Sequence, residues 1–225
     1  MHVLDVSDIS YDYVLRSGVT HALNGITARF ETGKMYAITG RSGSGKTTLL
    51  SLLAAFDRPA SGEISLDGQR LSSLDPSFYR RKYIGTVFQS YNLILHLTAL
   101  ENVMIPLELA GVGRAERRKK AHELLLGVGL DSRCFGKRPQ TLSGGEQQRV
   151  AIARAIATDA PIILADEPTG NLDSENSANI IGILKALAHD DGRCVIIVTH
   201  AEEIAAEADV RLHMSDGRIT DRTPE

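Results

Sequence analysis

The chain has 225 residues, and its 25 lysines and arginines against 28 aspartates and glutamates give a formal net charge of −3. A chain of this size can bury about 70–75% of its unfolded surface, so its core needs no disulfide or metal. The 43% hydrophobic and 24% charged residues are typical of a globular protein rather than a disordered or fibrous one. Because there is no basic excess, we expect no nucleic-acid partner.

Two further classes are disfavoured by the pattern of residues. No run approaches the roughly 18 consecutive apolar residues of a membrane span, and Met1–Asp5 lacks the basic and apolar pattern of a signal peptide. We therefore expect a cytoplasmic protein. Cys134 and Cys194 fit neither a disulfide framework nor a metal site at any recognised spacing, and we expect both to be free, structural thiols.

In chain order, the first third alternates between strand and helix patterns. Strands are predicted at Ile26–Phe30, at Met35–Thr39 and at Glu63–Gln69, the last with an Asp67-Gly68 turn. A helix is predicted at Thr47–Phe56. This alternation predicts the α/β class.

The middle of the chain, from about 90 to 158, is dominated by helical patterns. Arg114–Leu126 contains a charge run that we interpret as the solvated face of an amphipathic helix, with contact to an acidic membrane surface or partner as the alternative. Beyond it, Pro161–Ala165 and Cys194–Thr199 are unalternated apolar runs, as in a parallel sheet covered on both faces. We predict one domain over 1–225: a mostly parallel sheet, an N-terminal antiparallel β region and an inserted α-helical subdomain.

A glycine-rich segment between a predicted strand and a predicted helix fits the phosphate-binding pattern G-x-x-x-x-G-K-[ST]. Glycines let successive backbone N–H groups point at phosphate oxygens, and the following helix adds its positive N-terminal end. Lys46 would neutralise the β- and γ-phosphates, and the Thr47 hydroxyl would ligate Mg²⁺. The candidate phosphate-binding residues are Gly40, Arg41, Ser42, Gly43, Ser44, Gly45, Lys46, Thr47 and Thr48.

A carboxylate at the end of a neighbouring buried strand would complete such a site, because Mg²⁺ takes oxygen ligands. Ile162–Glu167 supplies it: Asp166 would hold the metal, and Glu167 would polarise the attacking water. The alternative is a purely structural role, in which the two acids cap the turn before Pro168. Kinases and GTPases share these motifs, which establish only a site for nucleotide phosphates.

Leu142–Glu146, with the sequence Leu-Ser-Gly-Gly-Glu, narrows the class of nucleotide-binding protein. Ser143 and Glu146 can form a capping box ahead of a helix predicted at Gln147–Ala157. Capping does not explain Gly144 and its neighbour Gly145, since a glycine in a helix interior costs up to ~1 kcal/mol against alanine. Glycines at a helix N-terminus let the backbone approach an anion closely. This second anion-binding helix end predicts a nucleotide shared across a dimer.

Together these motifs resemble those of the ATP-binding cassette family of ATPases, over nearly the whole chain. Gly40–Thr47 is similar to the family's Walker A motif, Ile162–Glu167 to Walker B followed by the catalytic glutamate, and Leu142–Glu146 to the signature motif. The resemblance implies a P-loop NTPase core in which two chains sandwich two ATP with Mg²⁺. Each nucleotide would then contact Ser143, Gly144 and Gly145 of the second copy.

Three more residues match family motifs in the expected order. Gln89 matches the Q-loop glutamine, which the resemblance implies senses Mg²⁺ and the γ-phosphate and links the core to the helical lobe. Asp173 matches the D-loop at the dimer seam. His200 matches the switch histidine that contacts the γ-phosphate, although Thr199 and Glu202 could instead form a capping box there. The resemblance assigns catalytic roles to Lys46, Gln89, Glu167 and His200, and metal contacts to Thr47, Gln89 and Asp166.

The family stacks an aromatic side chain on adenine, and two tyrosines lie at a suitable place before the phosphate loop. Tyr11 and Tyr13 both qualify, and the spacing to Leu23–Ile26 favours Tyr13. Ordinary sheet packing is the alternative role. The preference for ATP over GTP is implied by the resemblance alone.

The segments Gln89–Val103 and Ala165–Asp173 look like those of bacterial lipoprotein-releasing, macrolide-exporter and antimicrobial-peptide-resistance cassettes. This implies a subunit held at the inner face of the membrane by a separate integral permease, and export or extraction of a peptide, lipoprotein or drug-like substrate. The alternative is an ATPase switch in a transenvelope signalling or cell-division complex. Leu93–Leu97 is apolar. It could pack inside the helical lobe, part of it could line a groove for the permease, and both can hold.

Overall fold

The computed structural model describes residues 1–15 and 18–224, in which strands form two sheets and helices cover them. The strands are β1 (Val3–Leu15), β2 (Gly18–Glu31), β3 (Met35–Thr39), β4 (Ser61–Leu66), β5 (Gln69–Arg70), β6 (Ile84–Phe88), β7 (Ile162–Asp166), β8 (Cys194–Val198), β9 (Val210–Ser215) and β10 (Arg218–Pro224). The α-helices are α1 (Lys46–Leu53), α2 (Pro76–Tyr83), α3 (Ala99–Leu109), α4 (Arg114–Gly127), α5 (Gly144–Ile156), α6 (Ser174–His189) and α7 (Glu202–Ala205).

The N-terminal sheet is antiparallel, with the strand order β2-β1-β4-β5. The predicted turn between β4 and β5 is present, and Asp67 and Gly68 both have positive φ, 52° and 78°. Two consecutive positive φ values suit the twist of a tight hairpin. The predicted antiparallel β region is therefore confirmed.

The second sheet has the order β10-β9-β3-β8-β7-β6 and is parallel except for β10. Its central strands β3, β7 and β8 are buried on both faces, because successive residues of each strand point into two different cores. Met35 and Ala37 of β3 pack with the helical side, whereas Tyr36 and Ile38 pack toward the antiparallel sheet. This explains why the apolar runs in the sequence show no alternation.

The helices follow the predicted pattern with shifted ends. α4 matches the predicted amphipathic helix, and its Lys119–Glu123 ion pair lies on an exposed face. α1 ends at Leu53 rather than Phe56, because Ala55 adopts a left-handed φ of 52° that a helix cannot continue through. α5 begins at Gly144, three residues before the predicted start.

The capping box that Thr199 and Glu202 could have formed, the alternative for this segment, is not present. α7 begins at Glu202 after an Ala201 N-cap without a side-chain hydrogen bond, and the Thr199 hydroxyl instead accepts from the backbone N–H of Ala201 at 3.0 Å. His200 thus lies before the helix. Both cysteines are free and buried, as predicted. Within residues 1–15 and 18–224, no helix is both long and apolar enough to cross a membrane.

A buried asparagine on α3 fixes the loop that precedes this helix. The Asn102 side chain is fully buried, its Oδ1 accepts from the backbone N–H of Ile94 at 2.8 Å, and its Nδ2 donates to the carbonyls of Ile94 at 3.2 Å and Thr98 at 3.0 Å. One side chain therefore satisfies several backbone groups of an irregular segment, which buried backbone groups require.

Asn102→Ala is expected to lower the free energy of unfolding by about 2–3 kcal/mol, because it leaves buried backbone donors and acceptors unpaired. Denaturant unfolding followed by circular dichroism measures the change. The matched variant Gln140→Ala, at an exposed position, should stay within about 0.5 kcal/mol of the parent. Equal effects of the two changes would contradict this role of Asn102.

Candidate nucleotide-binding site

The candidate site lies at the carboxyl edge of the parallel sheet. Phe88 at the end of β6 pairs with Asp166 at the end of β7, and Asp166 pairs with Val198 at the end of β8. Because these strands are parallel and in register, the segments that follow them start at one edge, which is where ligands bind in open α/β sheets. The residues that follow the ends of β3, β6, β7 and β8 include Gly40, Gln89, Glu167 and His200.

The phosphate-loop segment needs glycine at two positions because other parts of the chain approach it closely. Gly40 and Gly45 have φ of 140° and 99°, and a Cβ would lie 2.2 Å from the Met214 carbonyl oxygen at the first and 2.5 Å from the Ala22 carbonyl oxygen at the second. α1 begins directly afterwards at Lys46, so its N-terminal N–H groups face the loop. The loop and the helix end together form an anion-binding cradle.

Lys46 is buried within this cradle. Its Nζ donates to the carbonyl oxygens of Gly40 at 2.8 Å and Arg41 at 3.0 Å. A buried ammonium group is retained only where it is paired or hydrogen-bonded. The structure therefore holds a positive charge over the loop, where it can meet phosphate oxygens.

The oxygen atoms beside the loop fit a magnesium ion. The Thr47 hydroxyl donates to Asp166 Oδ1 at 3.4 Å. Burial raises the pKa of Asp166, and the neighbouring Glu167 carboxylate raises it further, so a cation here would favour the charged carboxylate. In the described part of the chain no group of three or more His, Cys, Asp and Glu side chains could hold a metal. A hydroxyl and one carboxylate suit Mg²⁺, which usually takes its other oxygens from phosphates and water.

Glu167 and His200 form a contacting pair at the same edge. His200 Nδ1 lies 2.8 Å from Glu167 Oε1, and the side chains are 71% and 17% exposed, respectively. Glu167 has a left-handed φ of 47°, a strained conformation that is often found at functional sites. The Glu167 carboxylate contacts the His200 imidazole and does not cap the turn before Pro168. The geometry therefore favours a role in the site over the alternative role of capping.

The two candidate tyrosines have different surroundings. Tyr13 lines a cleft of about 750 Å³ above the phosphate loop, and its hydroxyl lies 3.2 Å from Thr48 Oγ1. The Tyr11 hydroxyl instead donates to Asp57, and the Tyr11 ring packs edge-on against Tyr13 with centroids 5.0 Å apart. Tyr13 is therefore the tyrosine that is positioned to contact a base.

The cleft brings together most of the predicted residues and some that were missed. The predicted residues lining it are Tyr13, Gly40, Arg41, Ser42, Gly43, Gly45, Lys46, Thr47, Thr48, Gln89, Asp166, Glu167 and His200. Thr20, His21, Ala22 and Val198 also line it and were missed. Pairing of Thr20 with Tyr13 across the β1–β2 hairpin would have indicated the first three, but hairpin register is not readable from the sequence alone.

Five predicted residues do not line this cleft. Ser44 is buried behind the loop, Ser143 is exposed at the N-cap of α5, and Gly144 and Gly145 form its first turn. The predicted capping box is present, since Ser143 N donates to Glu146 Oε2 at 2.7 Å and Glu146 N donates to Ser143 Oγ at 3.3 Å.

Asp173 is likewise away from the cleft and has a structural partner. Its side chain caps α6 by accepting from the backbone N–H of Asn176 at 2.8 Å. The same asparagine faces Gly145, where a Cβ would lie 2.5 Å from Asn176 Oδ1. The start of α5 therefore packs closely against the start of α6.

A parallel sheet with a glycine-rich phosphate loop, a buried lysine and an acidic residue at the next strand end defines a P-loop nucleotide hydrolase. The chain belongs to the ABC transporter family, whose model matches residues 23–170. It is an ABC ATPase domain with the mixed α/β cassette fold.

Relatives of two lengths match the chain. The macrolide export ATP-binding/permease protein MacB of Hyphomonas neptunium is 44% identical over 220 residues, which cover 96% of this chain and 34% of that protein. The chain therefore spans about a third of the length of this relative. An uncharacterized ABC transporter ATP-binding protein of Bacillus subtilis, YclH, is 40% identical over 98% of this chain and 96% of its own length.

Solved structures show the same architecture. The ATP-binding cassette MJ0796, as a dimer in a post-hydrolysis state bound to ADP and Pi, superposes with a TM-score of 0.91 and 38% identity over 98% of each chain. A second dimeric structure of MJ0796 gives the same TM-score, with 39% identity. The predicted fold class and family are thus confirmed.

Tyr13→Ala is expected to weaken ATP binding by about tenfold, because base stacking on an aromatic ring contributes roughly 1–3 kcal/mol. Titration with a fluorescent ATP analogue measures this, and inorganic triphosphate, which has no base, should bind both proteins equally. Tyr13→Phe keeps the ring and should stay within about twofold of the parent. A larger loss of ATP affinity in Tyr11→Ala than in Tyr13→Ala would instead assign the stacking to Tyr11.

Proposed function

We propose that this chain is the ATP-hydrolysing subunit of a membrane transport complex, and that two copies close around two ATP to drive a separate integral permease. The observation that carries the proposal is that the predicted nucleotide-contacting residues lie in two separate places on one protomer. One protomer gathers the phosphate loop, Asp166, Glu167 and His200 in one cleft, while its own Ser143 is exposed elsewhere.

Within the cleft, nucleotide phosphates would bind the N–H groups of the phosphate loop and Lys46. Thr47 and Asp166, with the Gln89 amide oxygen from the adjacent loop, would hold Mg²⁺, which neutralises phosphate charge when it is bound. The pKa of Asp166, raised by burial, would fall on this binding because a nearby cation favours the ionised form. Tyr13 would stack on the base.

For hydrolysis, Glu167 would orient a water molecule in line with the γ-phosphate and take its proton as the phosphorus–oxygen bond forms. ADP would then leave with the electrons of the bond that breaks. His200, whose Nδ1 lies 2.8 Å from the Glu167 carboxylate, would donate to that carboxylate from Nδ1 and hold it in place, and in its doubly protonated form it would also donate from Nε2 toward the γ-phosphate. The gain over the reaction in water would come mainly from positioning and electrostatic stabilisation.

The second copy would complete the site. Ser143 and the N–H groups at the start of α5 form a helix N-terminus with a glycine pair, which suits close approach to phosphate oxygens. The MJ0796 cassette bound to ADP and Pi is dimeric, which supports the same assembly here. ATP would then contact both protomers and stabilise the dimer, and its hydrolysis would allow the protomers to separate.

A permease partner is supported by the relatives and by exposed apolar side chains. The relative named as a macrolide export ATP-binding/permease protein is matched over a third of its length. In this chain Leu93 is buried, but Leu95 is 56% exposed. Leu95 lies three residues before Thr98, the N-cap of α3. We propose that Leu95 contacts the permease, that the subunit is thereby held at the inner face of the membrane, and that the complex exports or extracts a peptide, lipoprotein or drug-like molecule.

Glu167→Gln is expected to lower the turnover rate at least 100-fold, because loss of a general base typically costs 10²- to 10⁴-fold. ATP binding should persist, so a nucleotide-bound dimer should accumulate. Phosphate release and light scattering measure the two effects. Glu203→Gln, at an exposed position, is the matched control and should keep the parent rate. Hydrolysis by Glu167→Gln at the parent rate would refute the assigned base.

Leu95→Asp is expected to reduce co-purification with an integral membrane protein of the source cells at least tenfold, with unchanged ATPase activity of the isolated protein. The charge would have to be buried in the apolar contact. Leu126→Asp is the matched control, since Leu126 on α4 is 54% exposed. Equal retention of both variants would contradict the docking role. A captured partner that moves no substrate in vesicles would favour the signalling or cell-division switch instead.

A further inference from the structure

A cavity of about 570 Å³, here named the α1–α2 cavity, lies between the end of α1, β4 and α2. Small molecules bind in cavities of about 300–1,000 Å³ that are lined mainly by apolar groups with a few polar ones. The apolar lining here includes Leu52, Phe56, Ile64, Leu71 and Pro76. Among the lining residues that the structure describes, this cavity shares none with the cleft above the phosphate loop, so it is a separate place on the protein.

Phe56 gives the α1–α2 cavity an aromatic wall that is only partly covered. This residue is 55% exposed although it lines the cavity. The guanidinium carbon of Arg80 lies 5.6 Å from the centroid of its ring, within the range of a cation–π contact. A bound molecule with an apolar part would therefore cover ring surface that water now contacts.

The charges around the cavity leave an excess of positive charge. Two lining acids already have partners, since Asp57 accepts from the backbone N–H of Arg58 at 2.8 Å and Glu63 Oε1 lies 2.8 Å from Arg70 Nε. Arg58 and Arg80 also line the cavity, and in residues 1–15 and 18–224 neither has a carboxylate oxygen within 4.0 Å. The polar group that suits this cavity is therefore an anion.

Arg80 is held on the cavity wall with donors to spare. Its Nη1 donates to the Ala55 carbonyl at 2.6 Å, and its Nη2 donates to Ser77 Oγ at 3.4 Å. These hydrogen bonds use two of the five N–H donors of a guanidinium. A fixed guanidinium with further donors suits the paired oxygens of a carboxylate or a phosphate.

The backbone at one edge of the cavity is strained. Ala55 has a left-handed φ of 52° and directly follows Ala54, the C-cap of α1. This conformation is unfavourable for a residue with a Cβ, and such strain is often found at ligand sites. Because Arg80 binds the Ala55 carbonyl, a ligand that orders the Arg80 side chain would also stabilise this turn.

We propose that the α1–α2 cavity binds a small amphiphilic anion, a molecule with an apolar chain or ring and one carboxylate or phosphate group. The apolar part lies against Phe56, Ile64 and Leu71. The anionic group accepts from Arg80, and the exposed Arg58 adds positive charge beside it. A fatty-acid-like metabolite and the head of an acidic lipid share this chemistry. The site goes beyond the proposed transport function and uses no residue of the nucleotide cleft.

The test titrates the full chain, with its nucleotide cleft saturated by ADP and Mg²⁺, by isothermal calorimetry. The probes are octanoate, octyl phosphate, neutral octanol and cationic octylamine, each below its micelle-forming concentration. We expect both anionic probes to bind at least about tenfold more tightly than octanol, because only they form charge-assisted hydrogen bonds. Octylamine should show no saturable binding. Equal affinities for octanoate and octanol, or no saturable binding of either anionic probe, would overturn the proposal.

Arg80→Met should weaken octanoate binding at least about tenfold and leave octanol binding within about twofold of the parent. Arg81→Met is the matched control, since Arg81 is the next residue on α2 but lines a different groove, and it should bind octanoate like the parent. Equal losses in the two variants would contradict the assigned anion contact. A parallel loss of octanol binding in Arg80→Met would mean that the change had only disturbed the cavity, and it would contradict that contact too.

Phe56→Ser tests the apolar wall without touching an arginine. It should weaken octanoate and octanol alike, by at least about fivefold, because both chains lose the same apolar contact. Phe78→Ser is the matched control: Phe78 is 42% exposed, and Lys82 Nζ lies 5.4 Å from its ring centroid. Each change thus removes an exposed ring beside a cation. Parent-like binding by Phe56→Ser, or an equal loss in Phe78→Ser, would place the chain elsewhere and refute the site.

Vesicle sedimentation distinguishes the two sources of the anion. Phosphatidylglycerol vesicles that bind the parent and Arg81→Met, but bind Arg80→Met more weakly, would assign the site to a membrane lipid. Phosphatidylcholine vesicles, which have no net charge, should bind none of the three proteins. Octanoate binding without binding to phosphatidylglycerol vesicles would assign the site to a free amphiphilic metabolite.

Discussion

The parallel pairing of β3, β8, β7 and β6 is the constraint on which the rest of the structure depends. It places Phe88, Asp166 and Val198 side by side at the strand ends, so the segments that follow must meet at one edge. Alternate residues of these strands enter two separate cores. A slip of one residue would therefore exchange side chains between the cores, and the apolar packing fixes the register. The geometry of the polar site is thus set by hydrophobic burial some distance from it.

At that edge the protein has buried or strained polar residues, which lower the stability of the fold. Lys46 is buried against carbonyl oxygens, Asp166 is half-buried with a raised pKa, and Glu167 has a left-handed backbone. Each of these features has a cost in desolvation or strain. A bound polyphosphate with a divalent cation would match the first two, because it offers negative charge to the lysine and positive charge to the acid.

α5 joins the polar edge to the helical side. Gln148, fully buried, donates to the Pro168 carbonyl at 2.7 Å, just beyond Glu167, and Arg154 holds the turn after Gln89. A helix is stiff because its backbone hydrogen bonds lie along its axis. Contacts of α5 with the segments that follow β6 and β7 therefore connect the start of this helix to the carboxyl edge of the parallel sheet.

Sequence alone determined the features that arise within a few residues: the phosphate loop, the Ser143–Glu146 capping box and the apolar strands, because local backbone chemistry and burial pattern dictate them. Its errors were also local, as at the end of α1, where the left-handed Ala55 terminates the helix. Only the tertiary structure placed Tyr13 at the cleft and Tyr11 against Asp57, placed Thr20–Ala22 in the cleft and brought His200 to Glu167. These depend on strand register and sheet order, which join residues distant in the chain and leave no mark in local pattern.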